Sequence, residues 1–254
     1  MAGMAGRALV TGASRGIGEA VVRELRQRGF AVDALALDDD DLLRVATDTG
    51  ANAMPVDIRD VDALEQALRG IPFDVVVNNA GVLPQLEPFP QNSAAAIDLL
   101  VDVNLRAALH VTRIVLPGMI ARDQGHLFFL GSIAGRHPTP KSAVYAATKA
   151  ALHAFAEGLR ADLLGSNIRV TVLMPGRVQT RLYDGVFGGN QAASAALYDD
   201  FEAVQPADVA AVIGHAIDLP ANVDLTAIEI LPTKQVFSGS AIARTPADPP
   251  VPRG

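Results

Sequence analysis

Three residues near the middle of the chain carry side chains that could exchange a proton with a carbonyl or alcohol oxygen. Ser132 follows a buried apolar run at 126–130, and Tyr145 and Lys149 come after it, four residues apart. Residues with this spacing stack on one face of a helix, so the phenol and the ammonium should project together. A nearby cation favours the phenolate, which otherwise forms only near a pKa of about 10. Since Tyr-x-x-x-Lys is also common on ordinary amphipathic helices, the assignment depends on the rest of the chain.

Strand and helix patterns alternate along the whole sequence, which predicts a doubly wound parallel sheet with helices on both faces. Ligands in such sheets bind beyond the carboxyl ends of the strands, where Ser132 lies. Strands are predicted at 8–10, 30–37, 52–56, 73–77, 126–130, 168–173 and 226–231. The longest helices are predicted at 94–121, 143–165 and 206–219.

The first strand leads into a glycine-rich turn, Gly12-Ala13-Ser14-Arg15-Gly16-Ile17-Gly18, and a helix follows. Glycines allow the backbone to turn tightly and to approach a pyrophosphate, and the helix N-terminus favours anions. The position between a first strand and a helix favours a dinucleotide site over a simple turn. With a positively charged nicotinamide and Lys149 beside it, Tyr145 would have its pKa lowered and exchange a proton near neutral pH.

Other polar or small residues fall at functional positions of the predicted sheet. Four aspartates at 38–41 follow the second strand, where an acid binds the ribose hydroxyls of NAD and repels the 2′-phosphate of NADP; they could equally cap the next helix. Asn104 interrupts the apolar pattern of helix 94–121 and must hold a water, sit at a backbone kink or face solvent. Residues 177–205 form a predicted lobe over the cleft, in which Arg181 is a candidate partner for a substrate carboxylate.

Composition narrows the classes of function. The chain has 254 residues, is 50% hydrophobic, carries a net charge of −7 and contains no cysteine. These values fit one domain at 1–237, followed by a loose Pro-rich tail at 238–254, and they argue against nucleic acid or an anionic membrane as partner. The five histidines show no metal-ligand spacing, so no metal site is expected. With no signal-peptide pattern or apolar run of about 18 residues, we expect a cytoplasmic protein.

Taken in order, TGASRGIG, NNAG, Asn104, Ser132, YAATK and the proline-glycine after the sixth strand resemble the short-chain dehydrogenase/reductase family. The resemblance implies a seven-stranded Rossmann-type sheet in a homodimer or homotetramer, and a small alcohol or ketone as substrate. By the same resemblance, Tyr145 is the general acid/base, Lys149 its cationic partner and ribose ligand, Ser132 the hydroxyl that holds the substrate oxygen, and Asn104 the anchor of a relay water. The implied cofactor contacts are Gly12, Ser14, Arg15, Gly16, Ile17, Gly18, Asp38, Asp57, Ile58, Asn79, Ala80, Gly81, Tyr145, Lys149, Pro175, Gly176, Val178 and Thr180.

The cofactor-selecting position departs from the family pattern. Ala36 and Leu37 stand where relatives often carry an acid or an arginine, so neither signal is present. Arg15 is typical of NADP users, whereas Asp38 and the acids behind it oppose a second phosphate. We therefore expect NAD(H) to be favoured over NADP(H). The expected activity is interconversion of a secondary alcohol and a ketone, and the alternative is a non-catalytic dinucleotide-binding sensor or scaffold.

Overall fold

A computed structural model of the protein describes residues 6–37, 39–199 and 201–236. Seven parallel strands form one sheet in the order β3-β2-β1-β4-β5-β6-β7. They are β1 (Arg7–Thr11), β2 (Ala31–Ala36), β3 (Asn52–Pro55), β4 (Val75–Asn78), β5 (Gly125–Leu130), β6 (Ile168–Pro175) and β7 (Ala227–Ile230). The strand order reverses between β1 and β4, which confirms the predicted doubly wound sheet and places a ligand crevice at that point.

Eight α-helices connect or flank the strands in the described part of the chain. They are α1 (Gly16–Gln27), α2 (Asp40–Thr49), α3 (Val61–Leu68), α4 (Ala94–Val101), α5 (Ala107–Arg122), α6 (Ala143–Asp162), α7 (Gln191–Ala195) and α8 (Pro206–Asp218). Asp39 caps α2, since its carboxylate accepts a hydrogen bond from the N–H of Leu42 at 2.7 Å. Pro206 begins α8, where its missing N–H is not needed.

Both faces of the sheet are covered by apolar helix stripes. Val22 of α1 and Ile213 of α8 pack with the first face, and both side chains are fully buried. Leu64 of α3, Val111 of α5 and Leu152 of α6 pack with the opposite face. Burial on both sides fixes the register of the strands, and with it the positions of the residues at their carboxyl ends.

The largest difference from the predicted elements lies in the long helix at 94–121. It is divided into α4 and α5 by a π-helical turn, Asp102–Arg106, which contains the buried Asn104. Single π turns occur often at functional sites, because the extra residue redirects a side chain. Asp38 and the predicted tail at 238–254 lie outside the described residues, so the single-domain boundary stays a prediction. In the described part, no helix combines the length and apolar character needed to cross a bilayer.

Candidate active site

One cavity of about 770 Å³ opens at the carboxyl edge of the sheet, between the strand ends and residues 177–187. Most of the predicted site residues line it. They are Gly12, Ser14, Arg15, Gly16, Ile17, Asp57, Ile58, Asn79, Ala80, Gly81, Ser132, Tyr145, Lys149, Pro175, Gly176, Val178 and Thr180. Gly18 and Asn104 lie behind this wall and support it. The fold therefore brings together segments that are far apart in the sequence.

The glycine turn forms one end of the cavity and requires glycine for two different reasons. Gly12 and Gly16 adopt left-handed backbone conformations, with φ of 64° and 58°. A Cβ on Gly18 would lie 2.1 Å from the carbonyl oxygen of Gly12, so no larger residue fits without moving the turn. The turn leads directly into the N-terminus of α1, whose free N–H groups favour an anion. This geometry is a cradle for a pyrophosphate.

Asn79 holds the glycine turn in place. Its side-chain amide donates hydrogen bonds to the carbonyl oxygens of Thr11, at 2.9 Å, and Gly12, at 3.1 Å. The hydroxyl of Thr11 in turn accepts from the backbone N–H groups of Asn79 and Ala80, at 3.0 and 3.1 Å. The amide is therefore engaged by protein, and the backbone from Ala80 to Gly81 forms the cavity wall.

The cavity is also lined by a cationic residue, Arg59, that was not predicted from the sequence. Arg59 lines the cavity beside Asp57 and Ile58, and its Nη2 lies 2.6 Å from Oδ2 of Asp57. Hydrogen bonding by this guanidinium lowers the pKa of Asp57. The two-residue spacing between the acid and the arginine is the signal in the sequence that could have indicated this pair.

The predicted acid/base pair lies at the other end of the cavity. Tyr145 and Lys149 share one face of α6, and the ammonium nitrogen lies 5.8 Å from the centre of the phenol ring. The same nitrogen donates to the carbonyl oxygen of Leu130 at 2.7 Å, at the end of β5. Ser132 follows that strand end, and its hydroxyl lies close enough to the phenol of Tyr145 to influence the pKa of that group. The structure therefore brings all three groups together at one site.

A histidine behind Ser132 supports this corner of the site. His153 lies one turn beyond Lys149 on α6, and its Nε2 is 3.5 Å from the backbone N–H of Ser132. A Cβ on Gly131 would come within 2.4 Å of the same nitrogen, so the ring fills the space behind the strand end. Burial lowers the pKa of His153, which favours a neutral ring. The four-residue spacing from Lys149 could have indicated this role.

The pKa of Tyr145 is shifted in the direction opposite to the one expected from the sequence. Burial raises the pKa of Tyr145, the neighbouring Tyr183 adds to this, and the nearby hydroxyl of Ser132 opposes it. Burial also lowers the pKa of Lys149 to about 8. The cost of removing the two charges from water exceeds the attraction expected between them. Lys149 alone therefore does not make Tyr145 acidic here.

Asn104 is buried, and its polar groups have partners. Its Oδ1 accepts from the N–H of Val82 at 2.7 Å, and its Nδ2 donates to the carbonyl oxygen of the same residue at 3.0 Å. A Cβ placed on Gly81 would lie 3.5 Å from Oδ1 of Asn104 and 3.4 Å from Nζ of Lys149. Of the three alternatives weighed from the sequence, the structure shows the kink. The water-anchoring role stays a prediction.

The wall opposite α6 comes from the segment after β6. Val178 forms a parallel bridge with Val204, and the hydroxyl of Thr180 caps the next short turn by accepting from the N–H of Leu182 at 3.3 Å. These contacts fix the base of the lobe. Its apolar side chains that line the cavity are Leu182, Tyr183, Val186, Phe187 and Leu197. His137 also lines the cavity and is exposed.

The residues present fit a nicotinamide dinucleotide. The glycine cradle suits the pyrophosphate, because a Cβ on Gly12 or Gly18 would come within 2.8 or 2.1 Å of backbone atoms and only glycine allows this tight turn. The cavity continues from this cradle to Lys149 and Tyr145, where a ring and a reacting carbon would meet a proton donor. Among the described residues, no group of three His, Asp or Glu side chains is arranged to hold a metal ion.

Comparison with known proteins identifies the family. A profile described as short chain dehydrogenase matches residues 7–189. An uncharacterized short-chain type dehydrogenase/reductase of Sinorhizobium fredii is 44% identical, with 93% of this chain and 95% of the relative covered. The chain therefore belongs to the short-chain dehydrogenase/reductase family.

Two further relatives have more specific names. An NADP-dependent 3-hydroxy acid dehydrogenase of Escherichia coli K12 is 34% identical, over 93% of this chain and 98% of that protein. The closed form of serine dehydrogenase complexed with NADP+ superposes with a TM-score of 0.88 and 33% identity, over 94% of this chain and 100% of that one.

The expectation that NAD(H) is favoured over NADP(H) is wrong. Relatives that match almost the whole chain are named NADP-dependent, and a similar solved structure contains NADP+. The structure shows why the acidic run was misleading. The carboxylate of Asp39 is used to cap α2, and that of Asp41 lies 3.6 Å from both Arg44 and Arg181. These charges are engaged by the helix end and by arginines, and therefore repel a phosphate less than their number suggested.

Proposed function

We propose that this protein is an NADP(H)-dependent oxidoreductase that interconverts a secondary alcohol and a ketone, with Tyr145 as general acid/base. The observation that carries the proposal is the meeting of Ser132, Tyr145 and Lys149 at one end of a cavity whose other end is a glycine cradle. When bound, the coenzyme supplies or accepts the hydride. The cofactor preference is supported by the names of the relatives and by Arg15, which lines the cavity at the glycine turn.

In this proposal the reaction needs a proton at the substrate oxygen. Ser132 holds that oxygen by a hydrogen bond, and Tyr145 donates the proton during reduction or removes it during oxidation. Lys149 binds the ribose next to the reacting ring and stabilises the phenolate. The extra positive charge of the oxidised coenzyme acts in the same direction and offsets the burial that raises the pKa of Tyr145 in the free protein. Asn104 positions the backbone of Val82 beside them and, in this proposal, a relay water.

The first substrates to test are small hydroxy acids, because relatives are named for 3-hydroxy acids and for serine. We also keep, as proposals, a homodimer or homotetramer and a cytoplasmic location. Light scattering on the purified protein tests the oligomeric state.

The role of Tyr145 is tested by Tyr145→Phe. We expect turnover to fall at least about 1,000-fold, at the upper part of the usual range for one proton-transfer group, while NADPH binding followed by fluorescence changes less than about threefold. The matched control is Tyr198→Phe. Tyr198 does not line the cavity, and its hydroxyl donates to the carbonyl oxygen of Val178 at 3.0 Å. This variant should keep turnover and lose about 1 kcal/mol of stability.

Turnover retained by Tyr145→Phe would contradict the assigned role. Tight NADPH binding by the wild type, without turnover on a panel of hydroxy acids, secondary alcohols and ketones, would favour the alternative of a non-catalytic sensor or scaffold.

A further inference from the structure

Five cationic side chains line the cavity, and most of them are already engaged. They are Arg15, Arg59, Lys149, Arg177 and Arg181. Arg59 binds Asp57, Lys149 donates to a backbone carbonyl, and Arg181 binds Asp184 at 2.8 Å. Within the described ranges, neither Arg15 nor Arg177 has a carboxylate at ion-pair distance from its guanidinium.

The two cations lie at different places in the cavity. Arg15 belongs to the glycine turn and precedes α1, where the pyrophosphate cradle is. Arg177 follows Gly176 at the end of β6, on the wall that faces the catalytic corner. An anionic group at the glycine turn could therefore bind Arg15, and a second anionic group at the catalytic corner could bind Arg177.

The backbone of Arg177 is fixed. Its N–H donates to Oε1 of Gln235 at 2.9 Å, and its carbonyl oxygen accepts from the N–H of Val204 at 3.2 Å. Its guanidinium lies 5.0 Å from the centre of the Tyr183 ring. Tyr183 is close enough to Tyr145 to influence its titration, so the stacked pair borders the proton donor. An arginine stacked on a ring keeps its N–H edge free for a planar, two-oxygen partner.

Arg177 is also half-buried, and a partly desolvated cation without a counter-ion is unfavourable. An incoming carboxylate would supply the missing charge and accept two parallel hydrogen bonds. We propose that Arg177 binds the carboxylate of an anionic substrate and thereby directs the hydroxyl-bearing or keto carbon of that substrate toward Tyr145. This proposal rests on the proposed oxidoreductase function and names a specificity-determining residue for it. It also replaces Arg181, which the sequence suggested for this task and which the structure shows bound to Asp184.

The test compares an acid with its uncharged ester in the full-length protein. With NADP+ as coenzyme, 3-hydroxybutanoate and methyl 3-hydroxybutanoate are assayed with wild type, Arg177→Gln, Arg177→Lys and Arg181→Gln. For Arg177→Gln, kcat/KM for the acid should fall about 10- to 150-fold, mainly through KM, as expected for loss of a charged hydrogen bond. The value for the ester should change less than about twofold. Arg177→Lys should lose less, since it keeps the charge and gives up the two-pronged geometry.

Two controls separate this role from others. The Kd of NADPH, measured by fluorescence, should stay within about twofold in Arg177→Gln; a large rise would make Arg177 a coenzyme ligand and overturn the proposal. Arg113→Gln on the outer surface of α5, where the arginine pairs with Glu65, controls for loss of one positive charge. If Arg177→Gln does not fold, the acid-to-ester ratio of Arg177→Lys decides.

An equal loss for acid and ester in the Arg177 variants would refute the proposal, as would a selective loss of acid turnover in Arg181→Gln. Absence of turnover on both compounds, and on ketones with NADPH, would instead overturn the proposed function.

Discussion

Replacing Lys149 by methionine should stabilise the cofactor-free protein at neutral pH while abolishing turnover. Lys149 is only 4% exposed, and the removal of its ammonium from water lowers its pKa from the ordinary 10.5 to about 8. This lowering corresponds to about 3 kcal/mol of stability lost at pH 7. Methionine leaves the carbonyl oxygen of Leu130 without its donor, at a cost of about 1–2 kcal/mol. The net gain is about 1–2 kcal/mol, or a rise in Tm of about 3–6 °C.

The gain should depend on pH in a defined direction. Between pH 8 and pH 10.5 the unfolded chain still binds the proton of Lys149, whereas the folded protein has released it. The stability of the wild type therefore rises with pH through this window, and the advantage of the variant shrinks. Tm is measured at pH 7 and at pH 10 for the wild type, Lys149→Met and Lys234→Met, an exposed lysine whose replacement should leave Tm nearly unchanged. A lower Tm of Lys149→Met at pH 7, or an equal advantage at both pH values, would refute the reasoning.

Two further substitutions test the cradle and the sheet. Gly18→Ala places a methyl group 2.1 Å from the carbonyl oxygen of Gly12 and should weaken NADPH binding at least about tenfold in fluorescence titration. The control is Gly158→Ala on α6, where the added Cβ meets no atom within 4 Å. This variant should bind NADPH normally and gain about 1 kcal/mol of stability in urea unfolding. His126 is buried, and burial lowers its pKa to about 3, so the wild type loses stability as pH falls from 6.5 toward 3. His126→Asn should show a flatter decline in Tm over this range, and an unchanged slope would contradict the assignment.

Much of the fold could be predicted because each strand and helix carries its own local pattern. The run at 126–130 and the turn from Gly12 to Gly18 are readable within a few residues, and the alternation of elements then limits the topology. The residues that meet at the cavity follow from this, since parallel strands end at one edge.

The properties of the site that could not be predicted depend on side chains distant in sequence. The charge of Asp41 is offset by Arg181, which lies 140 residues later in the chain and approaches to 3.6 Å only after folding. The high pKa of Tyr145 results from burial, and Tyr183 adds to it from the lobe, a region without a strong local pattern. The number of acidic residues near a strand end therefore did not indicate which cofactor the cleft accepts.

The paired hydrogen bonds between Asn104 and Val82 have a consequence for how the cleft can vary. The side-chain amide of Asn104 makes the two hydrogen bonds with Val82 that a backbone peptide group of a neighbouring strand would make. The π-helical turn between α4 and α5 therefore holds Val82 in position independently of the residues that follow it. Residues 83–93 can consequently change in length and composition, and so reshape the entrance, without displacing the floor beside the reacting groups.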